Sequence, residues 1–171
     1  MNSLLQEMGI AAKAAANSLR KASTKQKNEG LLAMEAALYT HQDAILTANA
    51  KDIAAAAANG LPTPMIERLT LNPQRIKGMA DSFKEIAQLP DPVGYVEEMT
   101  KSADGLTIGK QRVPLGVIGI IYESRPNVTA DASALCFKSG NAVILRGGKE
   151  ALESNKAIMT ALQSGLADAG F

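Results

Sequence analysis

The sequence predicts an α/β fold built from a helical stretch, a hairpin arm and the first half of a doubly wound, Rossmann-like parallel sheet. Three observations carry that prediction. Residues 1–90 read as one helix after another, a hairpin signal follows Pro90, and from Pro114 onward buried strand, helix, buried strand and helix succeed one another. The expected division is a helical segment of the cofactor-binding domain at 1–90, a hairpin arm at 91–113 and a β-α-β-α half-sheet at 114–171.

The helices are announced by their start and stop residues. Ser3 with Gln6 and Ser23 with Gln26 fit the capping box, in which a hydroxyl and a side-chain amide satisfy backbone N–H groups reciprocally, and Thr40 with Asp43 is a third, similar start. The helix holding Ile45, Leu46 and Ile53 should close at Asn59-Gly60, because glycine accepts the left-handed conformation and Pro62 prevents continuation. Proline at a first helical position after Thr63 and after Asn72 opens the next two helices. In the second of these, Ile76, Met79, Phe83 and Ile86 form one apolar stripe.

After Pro90 the texture changes. Asp104-Gly105 signals a hairpin turn, with Leu106, Ile108 and Lys110 alternating as one strand face; the ribbon serves either as a local edge or as an arm for oligomer contacts. The run Gly116–Tyr122 is apolar enough for a strand buried on both faces of a parallel sheet. A helix over about Val128–Phe137, a Ser139-Gly140-Asn141 turn, a strand over Ala142–Leu145 and a helix over about Ala151–Asp168 complete the pattern. The sheet reads as unfinished, with an open edge and apolar surface exposed.

Bulk composition narrows the function. Eighteen basic against seventeen acidic residues leave a formal charge of +1, which gives no electrostatic footprint for nucleic acid or an anionic membrane. The absence of Trp and an aromatic content of 4% argue against a stacking platform for single strands. No apolar run approaches the roughly 20 residues that span a bilayer, and Glu7 interrupts what would be a signal peptide's apolar core, so the expectation is a cytoplasmic protein. The single cysteine, Cys136, fits a reducing compartment.

Two loops could carry chemistry, and both end a predicted strand. In "RGGKE", Gly147 and Gly148 let backbone approach a ligand, Arg146 and Lys149 supply positive charge, and the next helix offers unpaired N–H groups; the loop either holds a phosphate or is a tight turn with two solvated bases. In "YESRPN", Ser124, Arg125, Pro126 and Asn127 open at the carboxyl edge of the sheet, where such folds bind ligands. Arg125 and Asn127 there either contact a cofactor phosphate or a substrate carbonyl, or simply start a helix, with Asn127 as its cap and Glu123 paired to Arg125. Cys136 lies between Leu135 and Phe137 like a buried small hydrophobe, and His41 reads as a surface residue at a helix start. No metal-ligand cluster or credible nucleophile and base pair is visible in the sequence.

The run "VPLGVIGIIYESRPNVTADASALCFKSGNAVILRGGKE" closely resembles the γ-glutamyl phosphate reductase family, glutamate-5-semialdehyde dehydrogenases that form a branch of the aldehyde dehydrogenase superfamily. "EMGIAAKAAA", "ILTANAKDI", "NGLPTPMIERLTLNPQRIKGMAD" and "LPDPVG" extend the resemblance upstream. It implies NADPH-dependent reduction of γ-glutamyl phosphate to glutamate 5-semialdehyde and phosphate, in proline biosynthesis from glutamate. It also implies an aldehyde-dehydrogenase-like fold, a homo-oligomeric full-length enzyme and room for functional association with glutamate 5-kinase.

The family reacts through a cysteine thioester, and its cysteine lies downstream of any position that Cys136 matches. The catalytic domain is therefore expected to be absent from this chain, and the chain alone to be inactive. By the resemblance, Arg146 falls near the adenosine ribose and its phosphate. Lys149 stands where many NAD-using relatives carry an acidic residue, which implies NADP. Ser124-Arg125-Pro126-Asn127 replaces the superfamily's Pro-Trp-Asn, so the residue that holds the thioester oxygen is Arg125 or Asn127. The alternatives are a non-catalytic nucleotide-binding or interaction fragment, and an aldehyde or acyl dehydrogenase of the same superfamily with another substrate.

Overall fold

Local side-chain caps start two of the helices in the computed structural model, which describes residues 3–171. Five helices come first: α1 (Ser3–Leu19), α2 (Thr24–Thr40), α3 (Gln42–Ala58), α4 (Thr63–Leu69) and α5 (Pro73–Gln88). At α2 the expected box is present, Ser23 Oγ accepting from the Gln26 amide at 3.2 Å and Gln26 Oε1 accepting from the Ser23 amide at 2.9 Å. Asn72 caps α5 by accepting from the Arg75 amide at 2.8 Å, with Pro73 at the first helical position. Gly60, at φ +71°, closes α3 with Leu61 N donating to Ala56 O at 3.0 Å, the expected left-handed stop.

Two expected starts are corrected. Thr40 is the last residue of α2 and turns its hydroxyl back to Ala36 O at 3.1 Å, so it cannot cap α3; His41 takes the capping position without a side-chain bond and is half-buried rather than fully exposed. In α4 the proline is the second helical residue, because Thr63 is already helical and Pro62 stands at the cap. The helix start at Ser3 adjoins a residue outside those described.

The hairpin pairs β1 (Val96–Lys101) with β2 (Thr107–Gln111) in antiparallel register, with a bulge between Val96 and Glu98. Gly105 at φ +80° makes its turn, and every residue of both strands is exposed. The second sheet pairs β3 (Val117–Ile121) with β4 (Ala142–Arg146) in parallel, Val117 opposite Ala142 and Ile121 opposite Arg146. Between them runs α6 (Pro126–Lys138), and a 3₁₀ turn at Lys149–Ala151 leads into α7 (Leu152–Asp168). These two sheets account for all strands among the described residues.

β3 departs from expectation. It was predicted to be buried on both faces, yet Ile121 is 79% exposed and Val117 39% exposed. The reason is coverage: α6 packs on β4, α1 lies mainly against β4, and β3 has a hydrogen-bonded neighbour on one side alone among the described residues.

One apolar core joins the early helices to the late ones. Leu31, Met34 and Leu38 of α2, Ile76, Met79 and Phe83 of α5, Phe137 of α6, and Ile158 and Leu162 of α7 pack together, and the predicted stripe from Ile76 to Ile86 is buried within it. Polar clamps tie down what the core does not reach. Lys27, 1% exposed, bonds Asp91 at 2.7 Å, and Lys138 donates to Asn28 Oδ1 at 2.7 Å and Ala87 O at 2.9 Å. Burial pushes the Asp91 carboxyl up, but donation from Lys27, Thr24 and the Val93 amide outweighs it and leaves the pKa below the ordinary value. Burial pushes Lys138 down.

A further clamp lies on α3. Asp52 accepts from the Ser154 amide at 2.7 Å, the Ser154 hydroxyl at 2.6 Å and the Glu153 amide at 3.3 Å, and so caps α7 from a different helix. One turn earlier, Asn49 donates to Leu69 O at 2.9 Å and Ser154 Oγ at 3.0 Å and accepts from the Leu71 amide at 2.7 Å. Asp52→Ala is expected to destabilise the chain by about 2–3 kcal/mol, because two amides and a hydroxyl lose their acceptor in a buried site. Urea unfolding of both proteins should show a lower midpoint with an unchanged slope; a loss below about 0.5 kcal/mol would mean that water replaces the carboxylate.

Candidate functional site

Parallel pairing brings the two predicted loops to one edge. Because Ile121 lies opposite Arg146, residues 122–127 after β3 and 147–150 after β4 leave the sheet side by side, the edge at which open α/β sheets bind ligands. Tyr122 N donates to Arg146 O at 3.1 Å and extends the ladder by one rung. Ser124 Oγ then donates to Glu150 Oε2 at 2.7 Å, and Tyr122 OH meets Thr129 Oγ1 at 2.6 Å, which in turn donates to Asn155 Oδ1 at 2.9 Å.

This stitching explains the glycine pair. A Cβ on Gly147 would stand 2.4 Å from Asn155 Nδ2, and one on Gly148 2.3 Å from Ser124 Oγ. Gly148 has φ −60°, which any residue adopts, so contact rather than backbone conformation demands glycine there. The pair lets two loops close on each other.

Charge around the loop is mixed. Arg146 and Lys149 are exposed and make no salt bridge among the described residues. Glu150, which sequence reasoning passed over, is held below its ordinary pKa by the Ser124 hydroxyl, with its own backbone amide assisting, and so keeps a negative charge beside Lys149. The amides expected to be unpaired at the start of α7 are not, because Asp52 occupies those of Glu153 and Ser154. An anion at this edge therefore meets side-chain cations and loop amides rather than the Glu153 and Ser154 amides of α7.

At α6 the helix-start expectation is corrected in detail. The cap position is Arg125, with no side-chain bond, Pro126 is the first helical residue and is buried, and Asn127 lies inside the helix with its amide donating to Asp131 Oδ2 at 3.2 Å. Arg125 meets Glu123 through its backbone amide, at 2.9 Å to Glu123 O, and the two side chains form no ion pair.

Arg125 and Asn127 face a cleft of about 520 Å³ against α4 and α5, lined also by Arg68, Arg75 and Asp131. Sequence reasoning missed the last three, which are remote from Arg125 or inconspicuous on a helix. A second, apolar cleft of about 1130 Å³ lies between α1, β4 and α7, with Met8, Val143, Leu145 and Phe171 on its walls. Cys136 is buried, and burial pushes its thiol pKa up, the opposite of an activated thiolate. Among the described residues no group of three or more His, Cys, Asp or Glu side chains could hold a metal, and no helix is long and apolar enough to cross a membrane.

No family model matches the chain. Over 167 residues, 98% of its length, it is 56% identical to the γ-glutamyl phosphate reductase of Listeria innocua serovar 6a and spans 40% of that protein. The crystal structure of γ-glutamyl phosphate reductase from Thermotoga maritima superposes with a TM-score of 0.93 at 41% identity, covering 96% of this chain and 40% of that one. The propionaldehyde dehydrogenase of Clostridium phytofermentans shares the fold, with a TM-score of 0.63 at 14% identity over 94% of this chain and 33% of its own. The chain thus matches the γ-glutamyl phosphate reductases, with an aldehyde-dehydrogenase-like α/β fold, across nearly all of its own length and about two-fifths of theirs.

The buried thiol gives a direct check on the packing of α6. In the native chain Cys136 should react with a disulfide reagent such as DTNB at least about a hundredfold more slowly than in urea, since both exposure and thiolate fraction are suppressed. Labelling at the unfolded-state rate would contradict its burial.

Proposed function

We propose that this chain carries the cofactor-binding edge of an NADPH-dependent γ-glutamyl phosphate reductase, which reduces γ-glutamyl phosphate to glutamate 5-semialdehyde and phosphate in proline biosynthesis from glutamate. The observation that carries this reading is 56% identity to a γ-glutamyl phosphate reductase over 98% of the chain. NADPH, when bound, supplies the hydride for the reduction. The residues at the sheet edge fit it on their chemistry: Arg146 and Lys149 are exposed cations on one short loop, and Asp52 has closed the helix terminus that would otherwise compete for phosphate. A ribose 2′-phosphate suits such a site, because two solvated cations attract a dianion without needing backbone donors.

The other residues have distinct parts in this reading. Ser124, Gly147 and Gly148 set the loop's shape, and Pro126 fixes the entry into α6. Arg125, which lines the cleft, is better placed than Asn127 to contact a substrate oxygen, because the Asn127 amide already bonds Asp131. The nucleophilic thiolate of the thioester route lies elsewhere than Cys136, whose burial and raised pKa disfavour attack. The exposed hairpin, with Val96, Met99 and Ile108 solvated, serves as an arm for contacts between copies.

The test is Lys149→Glu in the full-length reductase, assayed with NADPH and NADH at two ionic strengths. Charge-assisted contacts contribute about 1.5–3 kcal/mol, so the preference for NADPH should fall by roughly tenfold or more. High salt should shrink the effect, since the site is exposed. An unchanged preference would mean that residues 146–149 form only a turn.

A further inference from the structure

The cleft between α4, α5 and the start of α6 has a charge pattern that cofactor binding leaves unused. Three arginines, Arg68, Arg75 and Arg125, line it together with one acidic residue, Asp131. Their states differ. Arg75 donates Nη1 to the carbonyls of Glu67, at 2.7 Å, and Thr70, so it is fixed against the end of α4. Arg68 and Arg125 are exposed and make no salt bridge among the described residues.

Asp131 is half-buried, and its oxygens take only the Asn127 amide at 3.2 Å and the Ser82 hydroxyl at 3.4 Å. Both contacts are long, and neither donor is charged. A carboxylate partly withdrawn from water with no cation paired to it retains acceptor capacity for one. Guanidinium donors without an anion stand on the same walls. Together they complement a zwitterion, with an ammonium site at Asp131 and a carboxylate site at the arginines.

The cleft also adjoins the proposed cofactor edge. Ser124 holds the 146–150 loop through Glu150, while the next residue, Arg125, lines the cleft, so the two sites flank one strand end. We infer that this cleft binds the α-amino-acid end of the substrate: Asp131 receives the α-ammonium, Arg68 and Arg125 receive the α-carboxylate, and Arg75 supplies a fixed background charge. The inference rests on the reductase reading, since it takes γ-glutamyl phosphate as the substrate. It makes Asp131 the residue that distinguishes an amino acid from a plain dicarboxylic analogue, because without an ammonium its charge faces the cleft unpaired.

The test runs the full-length reductase in reverse, with phosphate and NADP⁺, on glutamate 5-semialdehyde and on 5-oxopentanoate, which has the same length and carboxylate but no ammonium. The wild type should prefer the amino-acid substrate, and Asp131→Asn should cut that preference in kcat/KM by about tenfold or more. Arg68→Gln, a change at an exposed position, should raise KM for both carboxylate substrates but not for the uncharged pentanal. This second variant decides the matter if Asp131→Asn does not fold. Equal losses on both substrates with Asp131→Asn, or a KM effect of Arg68→Gln that includes pentanal, would overturn the assignment while leaving the reductase reading intact. A wild type inactive on glutamate 5-semialdehyde would overturn the reductase reading and this inference with it.

Discussion

Two buried polar residues on one face of α3, Asn49 and Asp52, fix the parts of the structure from which both candidate sites are built. They lie three residues apart and so project together from the helix. Asp52 grips the first turn of α7 and thereby sets where the preceding loop, with Arg146 and Lys149, leaves the sheet. Asn49 holds Leu69 and Leu71 across the corner between α4 and α5, which presents Arg68 and Arg75. Ser154 bonds both residues and makes them one network. Such a network rigidifies strongly when every member is satisfied, and no buried side-chain nitrogen or oxygen among the described residues lacks a partner.

The Asp52 cap also bears on how the proposed cofactor edge would act. A helix that starts after a glycine-containing loop normally offers its amides to an anion, and here a carboxylate from the same chain takes that place. In the proposed site, recognition of a phosphate would rest on exposed side chains, whose attraction is screened by salt and set by sequence at single positions. Glu150, fixed by Ser124, adds a negative charge beside Lys149.

Much of this was legible in the sequence where the signal is local. Ser23 with Gln26, Asn72 with Pro73, and Asn59 with Gly60 each mark a boundary through bonds made within a few residues, and each marks it correctly. Thr40 and Asn127 misled because their side chains had another local partner, the Ala36 carbonyl and Asp131. Burial of β3 was misread because an apolar run reports a preference, while coverage depends on which helices pack there. At the candidate site the two loops stood out by composition. Asp52 and Glu150 did not, because their partners Ser154 and Ser124 lie far along the chain; Arg68, Arg75 and Asp131 did not, because the cleft they share joins separate helices, which no short-range pattern encodes. The glycine pair was read as room for a ligand, and the structure adds that it admits Ser124 and Asn155.

In the proposed site, side-chain cations hold the phosphate while Asp52 keeps the Glu153 and Ser154 amides of α7. This arrangement is tested most directly by titrating the ¹⁵N-labelled chain with adenosine 2′,5′-bisphosphate, and with 5′-AMP as the partner lacking the 2′-phosphate, while following amide resonances and hydrogen exchange. The account predicts that the bisphosphate shifts the signals of residues 146–149 more than 5′-AMP does, while the Ser154 amide stays in place and remains protected. Movement of the Glu153 and Ser154 amides with loss of their protection would contradict it, since the ligand would then have displaced Asp52 and taken the helix terminus for itself.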